Sequence, residues 1–132
     1  MELRCYGIVC HMDIQKIVDR ISQVEPVDGI YFFGSRFSGT ETANSDFDLG
    51  ILFTRYIGNT LDAFMRPQLI KQALESELEL YDCLDLMDLE LAPLALQYAA
   101  IQGDPYQINN ATRLHRFENK VLSMIEAEEF NG

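Results

Sequence analysis

The chain has 132 residues, 48% hydrophobic and 23% charged, which suits one soluble globular domain with its own core. Ten Lys and Arg stand against 21 Asp and Glu, a net charge of -11, so a phosphate-tracking nucleic-acid groove is excluded for want of cations. Three cysteines (Cys5, Cys10 and Cys83) without a CxxC pair exclude a disulfide framework and a structural zinc site, and no apolar stretch is long enough to span a membrane.

Met12 directly precedes a helical pattern, which marks residues 1–11 as a short upstream extension. Ile14, Ile17, Val18, Ile21 and Val24 recur at helical spacing and predict a helix over 13–24, with Asp13 as its N-cap and Glu25-Pro26 as its end. Residues 29–33 (GIYFF) read as a buried strand that stops at Gly34-Ser35. The small polar run 36–45 (RFSGTETANS) reads as a loop. A second strand follows over 46–53, with Phe47, Leu49, Ile51 and Phe53 on one face and Asp46, Asp48, Gly50 and Leu52 on the other.

Leu61, Phe64, Leu69, Ile70, Ala73, Leu74 and Leu78 supply the apolar positions of a helix over 60–80, with Pro67 kinking it or opening a second segment. A third strand is predicted over 81–89, Leu84 and Leu86 facing one way and Cys83, Asp85 and Met87 the other. Helices over 92–102 and from Asn110 onward complete the series. Helix, strand, strand, helix, strand, helix, helix suits a small mixed sheet with helices over one face, an α/β or α+β domain.

Three features carry chemistry. Gly34-Ser35 sits where a strand ends, a place where backbone can approach phosphate oxygens, and Arg36 adds a charge-assisted contact. Asp46 and Asp48, two apart on a strand, point the same way, and two such carboxylates repel unless a cation lies between them. Hard oxygen ligands of this kind favour Mg²⁺ or Mn²⁺. Asp85 lies inside an apolar strand, where a carboxylate is costly unless paired or metal-bound. For Asp82 and Asp88 the plain reading, a solvent-facing position, is preferred.

The order GS, ten residues from Arg36 to Ser45, DFD and a later strand aspartate resembles the nucleotidyltransferase superfamily of the DNA polymerase β type. The phrase GSRFSGTETANSDFDLGILF is similar to its minimal nucleotidyltransferase (MNT) branch. The resemblance implies a polymerase β-like fold, a small mixed sheet flanked by helices, with residues 1–132 forming one minimal domain. It assigns the triphosphate of ATP to Gly34 and Ser35, with Arg36 as helper. It gives two Mg²⁺ ions to Asp46 and Asp48, and gives Asp85 a metal and the deprotonation of the acceptor hydroxyl.

A chain this short has no room for an acceptor-binding domain. It resembles the antitoxin of HEPN–MNT toxin–antitoxin systems, which implies a cytoplasmic protein adenylyltransferase that modifies a tyrosine of a HEPN ribonuclease toxin, associates with it as a hetero-oligomer and touches no nucleic acid directly. Two other readings stay open: transfer to a small molecule held by a separate subunit, and an antitoxin acting by binding alone.

Charge placement offers a further expectation. From Gln72 to Thr112 there is no Lys or Arg but there are eight acids, either a solvated face or a docking surface for a basic partner. Arg113, Arg116 and Lys120 on the last helix read as a solvated basic edge in preference to phosphate ligands.

Overall fold

A computed structural model describes residues 3–5, 8–10, 14–34, 47–78 and 84–131. Strands β1 (Leu3–Cys5) and β2 (Ile8–Cys10) form a two-stranded antiparallel sheet at the start of the chain. Helix α1 (Ile14–Val24) follows, then β3 (Val27–Phe33), β4 (Phe47–Phe53), α2 (Thr60–Leu78), β5 (Leu84–Asp88), α3 (Leu94–Ile101), β6 (Asp104–Ile108) and α4 (Ala111–Asn131). The second sheet has the order β5-β4-β3-β6. It is mixed: β3 runs antiparallel to β4 and β6, while β4 and β5 run parallel.

Every residue of β3 is buried, and β4 is buried except at Asp48. Strands apolar on both faces need cover on both, and two separate core clusters supply it. On one face, Ile30, Phe32, Leu49, Ile51, Leu84 and Leu86 pack against Ile17 and Ile21 of α1 and Ile70 and Leu74 of α2. On the other, Tyr31, Phe33 and Leu52 pack against Ala100 of α3 and Leu114, Phe117 and Val121 of α4. The expectation of helices over one face is corrected accordingly: they cover both.

Two elements escape the sequence pattern. The β1–β2 pair lies in the stretch taken for an extension, and its strands are too short for alternation to show. Strand β6 was hidden by Asp104-Pro105, which reads as a turn; proline is tolerated here because β6 is an edge strand. Helix α2 runs through Pro67 as one helix, and its apolar residues divide. Ile70 and Leu74 enter the core, whereas Leu61, Phe64 and Leu69 face outward.

The starts of α2 and α4 are capped by asparagine. The Asn59 side chain accepts from the N–H of Asp62 at 3.0 Å, and that of Asn110 from the N–H of Arg113 at 3.1 Å. Helices α2, α3 and α4 all begin at the end of the sheet where β4 and β5 finish. The contacts of α3 and α4 with the sheet show both running toward the other end: Gln97 donates to the Leu89 carbonyl at 2.7 Å, while Gly103, just past α3, abuts Phe32 and Phe33. Leu114 packs under Gly29 and Glu118 meets Tyr31 two residues further along β3.

Candidate functional site

The strand register gathers three of the predicted residues at one end of the sheet. Phe33 opposes Asp48 across the β3–β4 pair, so Gly34 follows directly beside it, and Asp48 opposes Asp85 across the β4–β5 pair. Neighbouring strands lie about 4.8 Å apart, and residues in register point to the same face. Asp48 and Asp85 therefore stand side by side, both half-buried. Ser35, Arg36 and Asp46, the other site residues read from sequence, lie outside the described residues, as do Asp82 and Cys83.

Gly34 has φ +86, in the left-handed region, and a Cβ there would fall on Oδ2 of Asp48. The chain thus turns out of β3 directly over the carboxylate, which only a residue without a side chain permits. Beneath, Phe32 and Phe47 stack with ring centroids 5.5 Å apart at 22°, tying the two strand ends together on the opposite face. The apolar residues alternating with the acids thereby hold the strands that aim them.

The donor set fits a hard divalent cation. Two carboxylates in register on adjacent strands concentrate negative charge that a cation relieves. Among the described residues no group of three potential ligands forms; Asp46 is not among those residues.

The opposite end of the sheet is ionic in another way. Arg66 is buried with its guanidinium 3.8 Å over the Phe53 ring, donating to the Arg55 carbonyl at 2.8 Å and to Asp88 at 3.3 Å. Arg55 grips Glu25 through two bonds of 2.9 and 2.8 Å. Arg113 donates to Asp28 at 2.7 Å and to Glu90 at 2.6 Å. Burial raises the Asp88 carboxyl above its ordinary pKa, and the bond from Arg66 only partly offsets this.

Two expectations change here. Asp88 is not solvent-facing but buried, because parity turns it toward α2 and Arg66 awaits it there. Arg113 is neither a phosphate ligand nor a free basic edge, since it is bonded to two acids at the end of the sheet away from Asp48. A cavity of about 410 Å³ lies among these arginines. All three guanidiniums are already bonded to carboxylates, so it is no anion cradle.

The same pairs answer the acid-rich interval. Glu75 pairs with Lys71, Glu77 with Arg20, Asp88 with Arg66 and Glu90 with Arg113. Cations from outside the interval neutralise these four acids, so they form no continuous acidic docking face.

Against this geometry, the sequence profile of the "Polymerase beta, Nucleotidyltransferase" family matches residues 15–106, from α1 through β6. The chain belongs to this nucleotidyltransferase family. The match includes Gly34, Asp48 and Asp85 and leaves out β1, β2 and α4. Comparison with proteins of curated function gave no match. Among solved structures, a chain of a toxin–antitoxin complex with AMP-PNP is similar at TM-score 0.71 and 26% identity, covering 91% of this chain and 92% of that one. A chain from the complex of tri-AMPylated Shewanella oneidensis HEPN toxin with MNT antitoxin is similar at TM-score 0.65 and 24% identity, covering 89% and 87%. A chain of the MntA-HepT toxin–antitoxin gives TM-score 0.64 and 23% identity over 89% and 87%. No helix among the described residues is long and apolar enough to cross a membrane.

Proposed function

We propose that this nucleotidyltransferase is an antitoxin of the MNT kind, transferring AMP from ATP to a tyrosine of a partner HEPN toxin and thereby silencing it in the cytoplasm. The observation that carries the reading is the register that sets Asp48 beside Asp85 with Gly34 against the carboxylate of Asp48. Similarity to a toxin–antitoxin chain crystallised with AMP-PNP supports the nucleotide, and similarity to a chain from a complex with an AMPylated toxin supports the acceptor.

In this reading the backbone at Gly34 and the Ser35 hydroxyl hold the triphosphate, with Arg36 against its charge. Asp46 and Asp48 would hold two Mg²⁺ ions, with Asp85 a further ligand. Bound there, magnesium shields charge on the entering and leaving oxygens during in-line displacement. Asp85, at the outer edge of the site, accepts the proton of the tyrosine hydroxyl. The tyrosine oxygen forms its bond to the α-phosphorus as the bond to pyrophosphate breaks, and pyrophosphate leaves. One domain over residues 1–132 performs the transfer because the acceptor is itself a folded protein.

The test is incubation with ATP, Mg²⁺ and the product of the adjacent gene, followed by intact-mass measurement. The partner gains one or more AMP units on tyrosine. An unmodified partner that is nonetheless silenced would replace transfer with binding alone.

A further inference from the structure

Strand β5 is the outer strand of its sheet, and the chain leaves an apolar groove along it. Phe64, Met65 and Gln68 of α2 form one wall, Leu86 and Met87 of β5 the floor, and Leu96 of α3 contributes to the other wall, around a cavity of about 270 Å³. Among the described residues Asp88 is the only charged one lining it, and its carboxylate is bonded to Arg66. Phe64 is 67% exposed and Leu96 41%. On the same outer side of α2, Leu61 and Leu69 are 69% and 57% exposed, so three turns of helix present an apolar stripe to solvent. Contiguous exposure of this kind marks an interaction surface.

Its position says what it would hold. Met87 in the floor lies two residues beyond Asp85 on the same face of β5, so the groove starts about 6.6 Å along the strand from the acceptor side of the site and leads away from it. A protein seated in it would bring its own surface against Asp85. Resting on the reading above, we infer that this groove and the outer stripe of α2 dock the cationic toxin and thereby present its tyrosine to Asp85. Charge favours that occupant over a second copy of this chain. Two chains of -11 repel on approach, whereas a basic RNA-cleaving protein is drawn in, and the uncharged groove then supplies contact that salt does not screen.

The experiment measures toxin binding by calorimetry and AMP transfer at varied toxin concentration, for wild type, Phe64→Asp, the milder Phe64→Ala, and Leu122→Asp as an exposed control on α4. Phe64→Asp weakens toxin binding and raises the KM for toxin at least tenfold, with KM for ATP unchanged. Phe64→Ala gives a smaller rise in the same direction and secures the result should the aspartate variant unfold. Leu122→Asp behaves as wild type. Binding is repeated in an Asp48→Asn background, so the groove is tested even if no AMP is transferred. Wild-type toxin affinity in both Phe64 variants overturns the inference, as does absence of any toxin binding by the wild type. A wild-type homodimer that Phe64→Asp dissociates, with toxin affinity intact, overturns it in favour of a second copy.

Discussion

At one end of the four-stranded sheet, Glu25, Asp28, Asp88 and Glu90 each meet an arginine, whereas at the other Asp48 and Asp85 are set beside each other. The first arrangement is closed. Its acids and cations come from β3, β5, α2, α4 and the turns after α1, β4 and β5, so their pairing fastens α2 and α4 to the sheet. The second sets two acids in register on neighbouring strands, an arrangement that suits the cation and phosphate chain of the proposed reading. Acid content alone does not distinguish structural from functional carboxylates; their place in the sheet does.

Asp48→Asn is the substitution with the largest expected effect. It should lower AMP transfer by about 10³-fold, since on the proposed reading it removes a metal-binding carboxylate, worth several kcal/mol of transition-state stabilisation. Its urea midpoint should fall by less than that of Arg66→Met; an equal loss would erase the contrast between the two ends.

Arg66→Met probes the closed end. It leaves Asp88 without its guanidinium and removes the contact over Phe53, with an expected loss of about 3–5 kcal/mol at pH 7. The sign with pH follows from the raised Asp88 pKa. A carboxyl raised in the folded state favours folding below its unfolded pKa and loses that contribution as pH rises through the folded one. Without Arg66 the folded value climbs further, so the variant's deficit should shrink from pH 7 to pH 5 in urea unfolding. A constant deficit would show that packing over Phe53, not charge, dominates.

Gly34→Ala should cost about 1–2 kcal/mol for the positive φ and abolish transfer by displacing the Asp48 carboxylate, read by thermal melting and intact mass. Smallest is Tyr31→Phe. The buried Tyr31 hydroxyl donates to Glu118 at 2.7 Å, and its pKa is raised by burial and then by that bond. Losing it should cost about 1 kcal/mol and leave transfer rates unchanged, since the pair sits between the two ends.

Much of this was legible before any coordinates. The GS and DFD segments read clearly because each abuts a strand with strong apolar alternation, and that alternation aims Asp48. Helices on both faces had a signal too: Ile30, Tyr31, Phe32 and Phe33 are apolar at both parities, which a sheet covered on one side does not require. The fate of Asp88 had only its parity with Leu84 and Leu86. Its partner lies 22 residues away on a helix whose facing only packing decides. The apolar residues of α2 gave a mixed signal, for a single set of spacings concealed a core stripe and an outward one.

Helix α3 ends at Ile101, and the turn after it presses Gly103 against Phe32 and Phe33, at the mouth where β3 delivers Gly34. A helix presents its carbonyl end there, and that end carries about half a negative charge. Together with the two aspartates it gives the entrance an electronegative character that a bare triphosphate would meet unfavourably. On the proposed reading, a nucleotide already complexed with magnesium suits that entrance better than a bare one, a bias set by the direction of a helix.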